Sequence, residues 1–439
     1  MIHNSGTGAK SSASSLLDRL GHASRTSSLS HDELLAILVN LKLEGRDPNR
    51  ATVIFSKESL ELLVGYGVTP NPLDIRLETL RIIANALLLS PDLRKQFRAL
   101  PVLVREYKGA SADEEFVVSR IMFLLTIEPG TYTSDVLYDL LEYIFLHVMR
   151  HAEGDLSACS LPALTETCKL LFNILCKYSN GSPSYDDLIG PLSSTIKRLP
   201  RILNSVSCSI ISCLLKLPCN ADIYFRDEAP TELSEVFFEL LSNAVQPQVV
   251  DADGLDDTIV PLLLLLRNIF TAARNEQVRE YFKAKIFPSE DERSRPLGQS
   301  SSLASHLLQI ISKPTFMKSR EVIYQIMWDG SDHDVSKFIY HIGYGYAVGY
   351  LVGHDIPVPE DVLSENVPNF PDNINPVTGQ RLENESRSPS LANMTDEEKE
   401  REAERLFVLF ERMRENGIID VENPVRTAVQ SGRFQELSD

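Results

Sequence analysis

Apolar residues recur at three- and four-residue spacing along nearly the whole chain. Leu34, Leu35, Leu38 and Leu41 form one such series, and Leu77, Leu80, Ile83, Ala84 and Leu87 another. This is the period of one face of an α-helix, and no run shows the convincing alternation of a half-buried strand. Prolines and short polar clusters cut the pattern into segments of roughly 10–18 residues, an ordinary helix length. The chain is therefore expected to be all-α.

A second, longer period lies over the first. Strongly apolar helices share a register that starts at Arg81, Arg120, Lys169, Ser209, Leu264 and Glu321: a basic or polar residue, three mostly apolar residues, then a residue that is often Asn. Successive starts are 39, 49, 40, 55 and 57 residues apart, near the roughly 40–47 residues of HEAT and armadillo units, with loop insertions accounting for the longer ones. Units of two or three helices cannot bury their apolar faces alone, so neighbours stack into a superhelix with a concave surface. An armadillo/HEAT-like solenoid over residues 31–362 follows. If the aligned helix is the inner one, Asn85, Asn173, Asn268 and Gln325 face the groove, and Arg81, Arg120 and Lys169 make a basic ladder along it. The alternative is that the amides bond loops of the adjacent repeat and the cations pair locally.

Three segments interrupt the array. Residues 1–30 are Ser-rich and expected to be disordered, Phe287 to Ser302 reads as a long loop, and residues 363–393, rich in Pro, Asn and Ser, read as an extended linker. A helix over 394–417 follows, then a tail over 418–439. Thr395 with Glu398 forms a capping box, Ala403, Leu406, Phe407, Phe410 and Met413 make one apolar stripe, and Asn416-Gly417 supplies the stop.

Composition narrows the function. A net charge of −18 over 439 residues argues against nucleic acid, which demands clustered Lys and Arg. The longest aliphatic run, Leu262 to Leu266, falls far short of the roughly 20 residues that span a membrane. The N-terminal stretch lacks the apolar core of a secretory signal, so the protein is expected in the cytoplasm. Six cysteines, all between Cys159 and Cys219 and none in a CxxC pair, read as buried reduced thiols.

Candidate chemistry is sparse. GTGAKSS (Gly6 to Ser12) fails the phosphate-loop pattern, which needs glycines where Asn4 and Ala9 stand. Gly343, Gly345 and Gly349 lack the βαβ setting of a dinucleotide fingerprint and suit close packing among Tyr344, Tyr346 and Tyr350. His147 and His151, one helical turn apart, have no HExxH-type carboxylate and read as a surface or half-buried pair. No nucleophile stands in a triad motif. The expectation is a protein that acts by binding, without cofactor, metal, nucleotide site or bond chemistry of its own.

Three ordered blocks are more specific: KFIYHIGYGYAVGYLV (Lys337 to Val352), INPVTGQ (Ile374 to Gln380) and MTDEEKEREAERLFVLFERM (Met394 to Met413). With RLETLRIIANALLLSP (Arg76 to Pro91), VVSRIMFLLTI (Val117 to Ile127) and TCKLLFNI (Thr167 to Ile174), the chain resembles the synembryn family, the "resistance to inhibitors of cholinesterase" proteins. The resemblance implies a cytosolic exchange factor and folding chaperone for heterotrimeric G-protein α subunits, recruitment to the plasma membrane or cell cortex being left open. It also implies that the solenoid grips the C-terminal helix of the α subunit while the helix from Thr395 to Met413 packs on the nucleotide-binding domain. GDP then leaves, and GTP releases the complex. Animal members carry acidic Ser/Thr clusters in the linker that are phosphorylated; here the stretch VLSENVPNFPDN (Val362 to Asn373) offers only Ser364, in a poor acidic context. A plain armadillo-like interaction scaffold without exchange activity is the alternative.

Overall fold

The computed structural model describes residues 12–358, apart from 27, 48–54, 69, 98, 128–131, 155, 159, 178–184, 219–231 and 248–253, together with residues 373–385, Thr395 and Arg401. Most of GTGAKSS, Cys159, Cys219, and Leu406, Phe407, Phe410 and Met413 of the expected C-terminal helix lie outside the described residues.

Among the described residues there are eighteen α-helices and no strand. They are α1 (Ser12–Thr26), α2 (His31–Glu44), α3 (Lys57–Gly67), α4 (Leu73–Leu89), α5 (Pro91–Gln96), α6 (Leu100–Glu106), α7 (Ala112–Ile127), α8 (Ser134–Glu153) and α9 (Ser160–Lys177). Then follow α10 (Ile189–Arg198), α11 (Ser205–Lys216), α12 (Glu232–Ala244), α13 (Leu255–Ala272), α14 (Glu276–Ile286), α15 (Leu303–Ser312), α16 (Met317–Gly330), α17 (Val335–Ile342) and α18 (Tyr344–Gly353). A single isolated bridge pairs Ile374 with Arg381.

Local chemistry sets many of the boundaries. Ser30 and Glu33 cap α2 reciprocally, the Ser30 amide donating to the Glu33 carboxylate at 2.9 Å, and Asn204 with Ser207 does the same for α11. Each pair satisfies amides that the first turn would otherwise leave open. Ser90 ends α4 and also caps α5, whose first residue is Pro91, a position where the missing N–H costs nothing.

Packing joins the helices into a solenoid. One row runs α2, α4, α7, α9, α11, α13 and α16, each packed on the next. Its members from α4 onward are the six helices aligned by the sequence register. A second row flanks it, with α6, α8, α10 and α12 in succession and α14 with α15 further on. Because row members are covered on several sides, α7 buries Val117, Val118, Ile121, Met122, Leu124 and Leu125 around most of its circumference. Each such side chain contributes about 1.5–3 kcal/mol.

Two expectations about buried chemistry change. Within the N-terminal segment expected to be disordered, residues 12–26 form α1, which buries Ala13 and Leu20 and receives the Tyr66 hydroxyl on the Leu20 carbonyl at 2.8 Å. The serines obscured an apolar set, Leu16, Leu17 and Leu20, that finds its partners only in α2 and α3. His147 and His151 are wholly buried rather than surface or half-buried, because the carboxylate they need, that of Glu115, comes from α7 and not from their own helix. Of the thiols, Cys168 and Cys213 are buried, with the Cys213 thiol donating to the Cys168 carbonyl at 3.1 Å, whereas Cys176 is exposed and Cys208 half-buried.

Candidate functional site

The shared register places its first residue toward solvent in all six helices. Arg81 and Lys169 are exposed, and Arg120, Ser209, Leu264 and Glu321 half-buried. The fifth position is buried where it is Leu124 or Cys213. It reaches the surface where it is an amide, at Asn85, Asn173, Asn268 and Gln325. A stripe of alternating character therefore crosses the row, polar at the register positions and apolar a turn away.

The cations divide. Arg81 pairs with Glu78 on its own helix, and that carboxylate also holds Lys42 of α2. Lys169 pairs with Glu166 at 2.8 Å, again three residues back. Both remain largely solvated, so these pairs contribute little to stability. Arg120 has no ion-pair or hydrogen-bond partner among the described residues. The amides divide likewise. Asn173 donates to the Phe123 carbonyl and the Thr126 hydroxyl of α7, at 3.3 and 3.2 Å. Gln325 donates to Glu321 and accepts from Arg267, which is also paired with Asp329 at 2.7 Å. Asn85 and Asn268 have no side-chain partner among the described residues. The sequence register thus brings all seven residues to one row, but two amides are engaged in joining helices and two are open.

Sequence reading missed the apolar part of this face. Phe116 and Phe123 flank Arg120 at one helical turn, Phe172 follows Lys169, and all three rings are half-buried. Leu88 beyond Asn85 and Ile127 at the end of α7 are exposed by 48% and 38%. The signal was present as i, i+4, i+7, i+11 spacing through 116, 120, 123 and 127, but a single sequence does not say which apolar stripe is left uncovered.

The far end of the solenoid carries a second feature. The loop 287–302, the glycine junction of α17 and α18, and INPVTGQ come together around Arg293, which is 1% exposed. Its guanidinium donates to the carbonyls of Tyr340 at 2.9 Å and Gly379 at 3.1 Å. Gly343 has φ +79°, and a Cβ there would lie 3.0 Å from the Val377 carbonyl, so close backbone approach, not nucleotide binding, explains the glycine. Residues 373–385, expected within an extended linker, are thus docked on the helices. Nearby, His341 stacks on Phe287 with ring centroids 4.0 Å apart and its Nδ1 lies 2.9 Å from the Ser331 hydroxyl.

Burial, reinforced by the positive charges of Arg293 and Lys283, lowers the His341 imidazole from 6.5 to about 4. A base depressed in the folded state stabilises the fold fully above its unfolded value and loses that contribution as pH falls toward the folded one. Thermal stability should therefore decline between pH 6.5 and 4, by up to roughly 3 kcal/mol at full titration. His341→Phe, which preserves the ring stack, should flatten melting temperature against pH in that window; an unchanged slope would place the titration elsewhere.

Among the described residues no helix is long and apolar enough to cross a membrane. A family described as guanine nucleotide exchange factor synembryn matches residues 37–433. A synembryn-like chaperone of Schizosaccharomyces pombe is 29% identical over 40% of this chain and 35% of its own length. Chaperone ric-8 of Caenorhabditis elegans is 25% identical over 67% and 55%, and chaperone Ric-8A of Macaca fascicularis 24% over 87% and 81%. The chain thus spans about a third and about half the length of the first two relatives. The family match runs from within α2 through the docked INPVTGQ turn and on past Met413, and the chain belongs to the family described as guanine nucleotide exchange factor synembryn.

Proposed function

We propose that this protein is an exchange factor and folding chaperone for heterotrimeric G-protein α subunits and works by differential binding alone. The observation that carries the reading is the family match over residues 37–433, which takes in the helical row, the docked turn and the C-terminal block. The row receives the C-terminal helix of the α subunit, and Leu406, Phe407, Phe410 and Met413 engage its nucleotide-binding domain. Support comes from the face that carries Arg120 and Asn85 open along with Phe116, Phe123 and Phe172, with Asn268 open further along the row. A helix that ends in a free carboxylate offers apolar side chains to the rings and an anion to the cation.

A factor that binds the nucleotide-free α subunit more tightly than the loaded one lowers nucleotide affinity by the same ratio, since coupling between two ligands is reciprocal. Release of GDP, dissociation by GTP and protection of a nascent, empty α subunit then follow from one preference.

The test measures GTPγS uptake by purified α subunits with and without the protein, alongside binding of a peptide that reproduces the C-terminal helix of the α subunit. Acceleration of uptake is expected, and reversing charge at Arg81, Arg120 and Lys169 together should weaken the peptide by about tenfold or more, ~1.4 kcal/mol, with helical content unchanged. Tight binding without any rise in uptake would make the protein a scaffold, and undiminished peptide affinity in the variant would move the surface off this row.

A further inference from the structure

The turn carrying INPVTGQ is held by groups that no local rule would pair with it. The Tyr344 and Gly345 amides open the first turn of α18, where a helix has no internal acceptors. They donate to the carbonyls of Pro376 and Val377 at 2.8 and 3.0 Å. From the other side, the Leu297 amide donates to Thr378 at 3.1 Å, the Arg381 amide to the Arg293 carbonyl at 2.8 Å, and the Gln380 side chain to the Ser294 carbonyl at 3.2 Å. Arg293 sits at the centre, bonded to Gly379 and Tyr340, paired with Glu290 at 3.1 Å, and stacked 4.4 Å from the centroid of Tyr340, whose hydroxyl donates to the same carboxylate. Gly379 has φ +67°, and a side chain there would collide with Leu297.

We propose that Arg293 is a positioning residue: it clasps the 373–385 turn to the end of the helical row and so fixes the point from which the C-terminal segment departs. With the clasp closed, the step from Glu385, the end of the described turn, to Thr395 is 10 positions. With it open, the count runs from Val358, packed against the core, and becomes 37. The effective concentration of a tethered binding element falls roughly as the −3/2 power of tether length, here about sevenfold. The proposal rests on the reading that the segment around Leu406, Phe407 and Phe410 touches the α subunit.

The experiment is a double-variant cycle on affinity for nucleotide-free α subunit: the full chain, Arg293→Ala, a chain ending at Asn393, and both changes together. Hydrogen exchange at the Leu297, Tyr344, Gly345 and Arg381 amides reports the clasp itself. Arg293→Ala is expected to expose those amides and weaken the full chain about sevenfold while costing the truncated chain nothing. An equal loss in both backgrounds would mean a purely structural role, and amides that stay protected would mean that Arg293 does not hold the turn; either overturns the proposal. A truncation without effect on affinity would instead sink the reading of the C-terminal segment. Should Arg293→Ala fail to fold, Gly379→Ala opens the same turn from its other face and is read in the same way.

Discussion

Glu115→Ala should be the most destabilising single substitution in the helical row, at about 3–5 kcal/mol, the usual result of removing one partner from a buried charged group. The Glu115 side chain is wholly buried on α7. The His151 Nε2 lies 3.0 Å from both of its oxygens, the Thr167 hydroxyl of α9 donates to it at 2.7 Å, and Arg150 of α8 is paired with it. The His147 Nδ1 stands 3.4 Å away without hydrogen-bond geometry. Ser119 links the Tyr143 and Thr167 hydroxyls at 2.9 Å each. One carboxylate thereby ties three helices together, and its loss takes from the buried His151 imidazole its carboxylate partner and one bond each from Arg150 and Thr167.

Burial alone would raise the Glu115 carboxyl, but the His147 and His151 imidazoles overcome it and hold the group well below its ordinary 4.5. A carboxyl depressed in the folded state contributes fully above that value and progressively less as pH falls below it. This window lies beneath most of that of His341. Urea unfolding of the wild type, Glu115→Ala and Glu115→Gln at pH 7 and pH 4 checks both claims. The wild type should lose part of its advantage over the Gln variant in acid, and an Ala variant within 1 kcal/mol of wild type at pH 7 would show that this cluster does not join α7, α8 and α9.

Ending the chain at Asn393 should reduce nucleotide exchange by tenfold or more, about 1.4 kcal/mol of lost partner binding, while the melting temperature of the helical row holds. An amphipathic helix gains most of its stability from the surface its apolar stripe covers. Among the described residues the core cluster and the side chains packed against it draw on positions 13–358. The stripe of Leu406, Phe407, Phe410 and Met413 therefore belongs to the partner on this reading, and two aromatic anchors are the side chains that dominate such contacts. Replacing Leu406, Phe407 and Phe410 with Ala should reproduce the loss with the chain intact. A large drop in melting temperature on truncation would identify the segment as a structural cap, and full-rate exchange by a truncated protein that melts normally would refute both roles.

Helix content and the long register were legible in the sequence because both are carried by short-range information. Apolar spacing fixes which face of α4 or α13 turns inward, and capping pairs such as Ser30 with Glu33 lie within one turn. The row of six helices beginning with α4 could therefore be aligned from residue types alone, and the solvent-facing first position at Arg81, Arg120 and Lys169 followed from the same period. What the tertiary structure decided was where polar groups find partners. Asn173 is spent on α7 while Asn85 is open, a difference between chemically identical residues that depends on the neighbouring helix. His147 and His151 are buried because Glu115 stands more than thirty residues earlier. The Arg293 clasp joins residues 86 apart in the chain. Such pairings leave no period in one sequence, since it is packing of distant segments, and not local spacing, that decides which buried donor meets which acceptor.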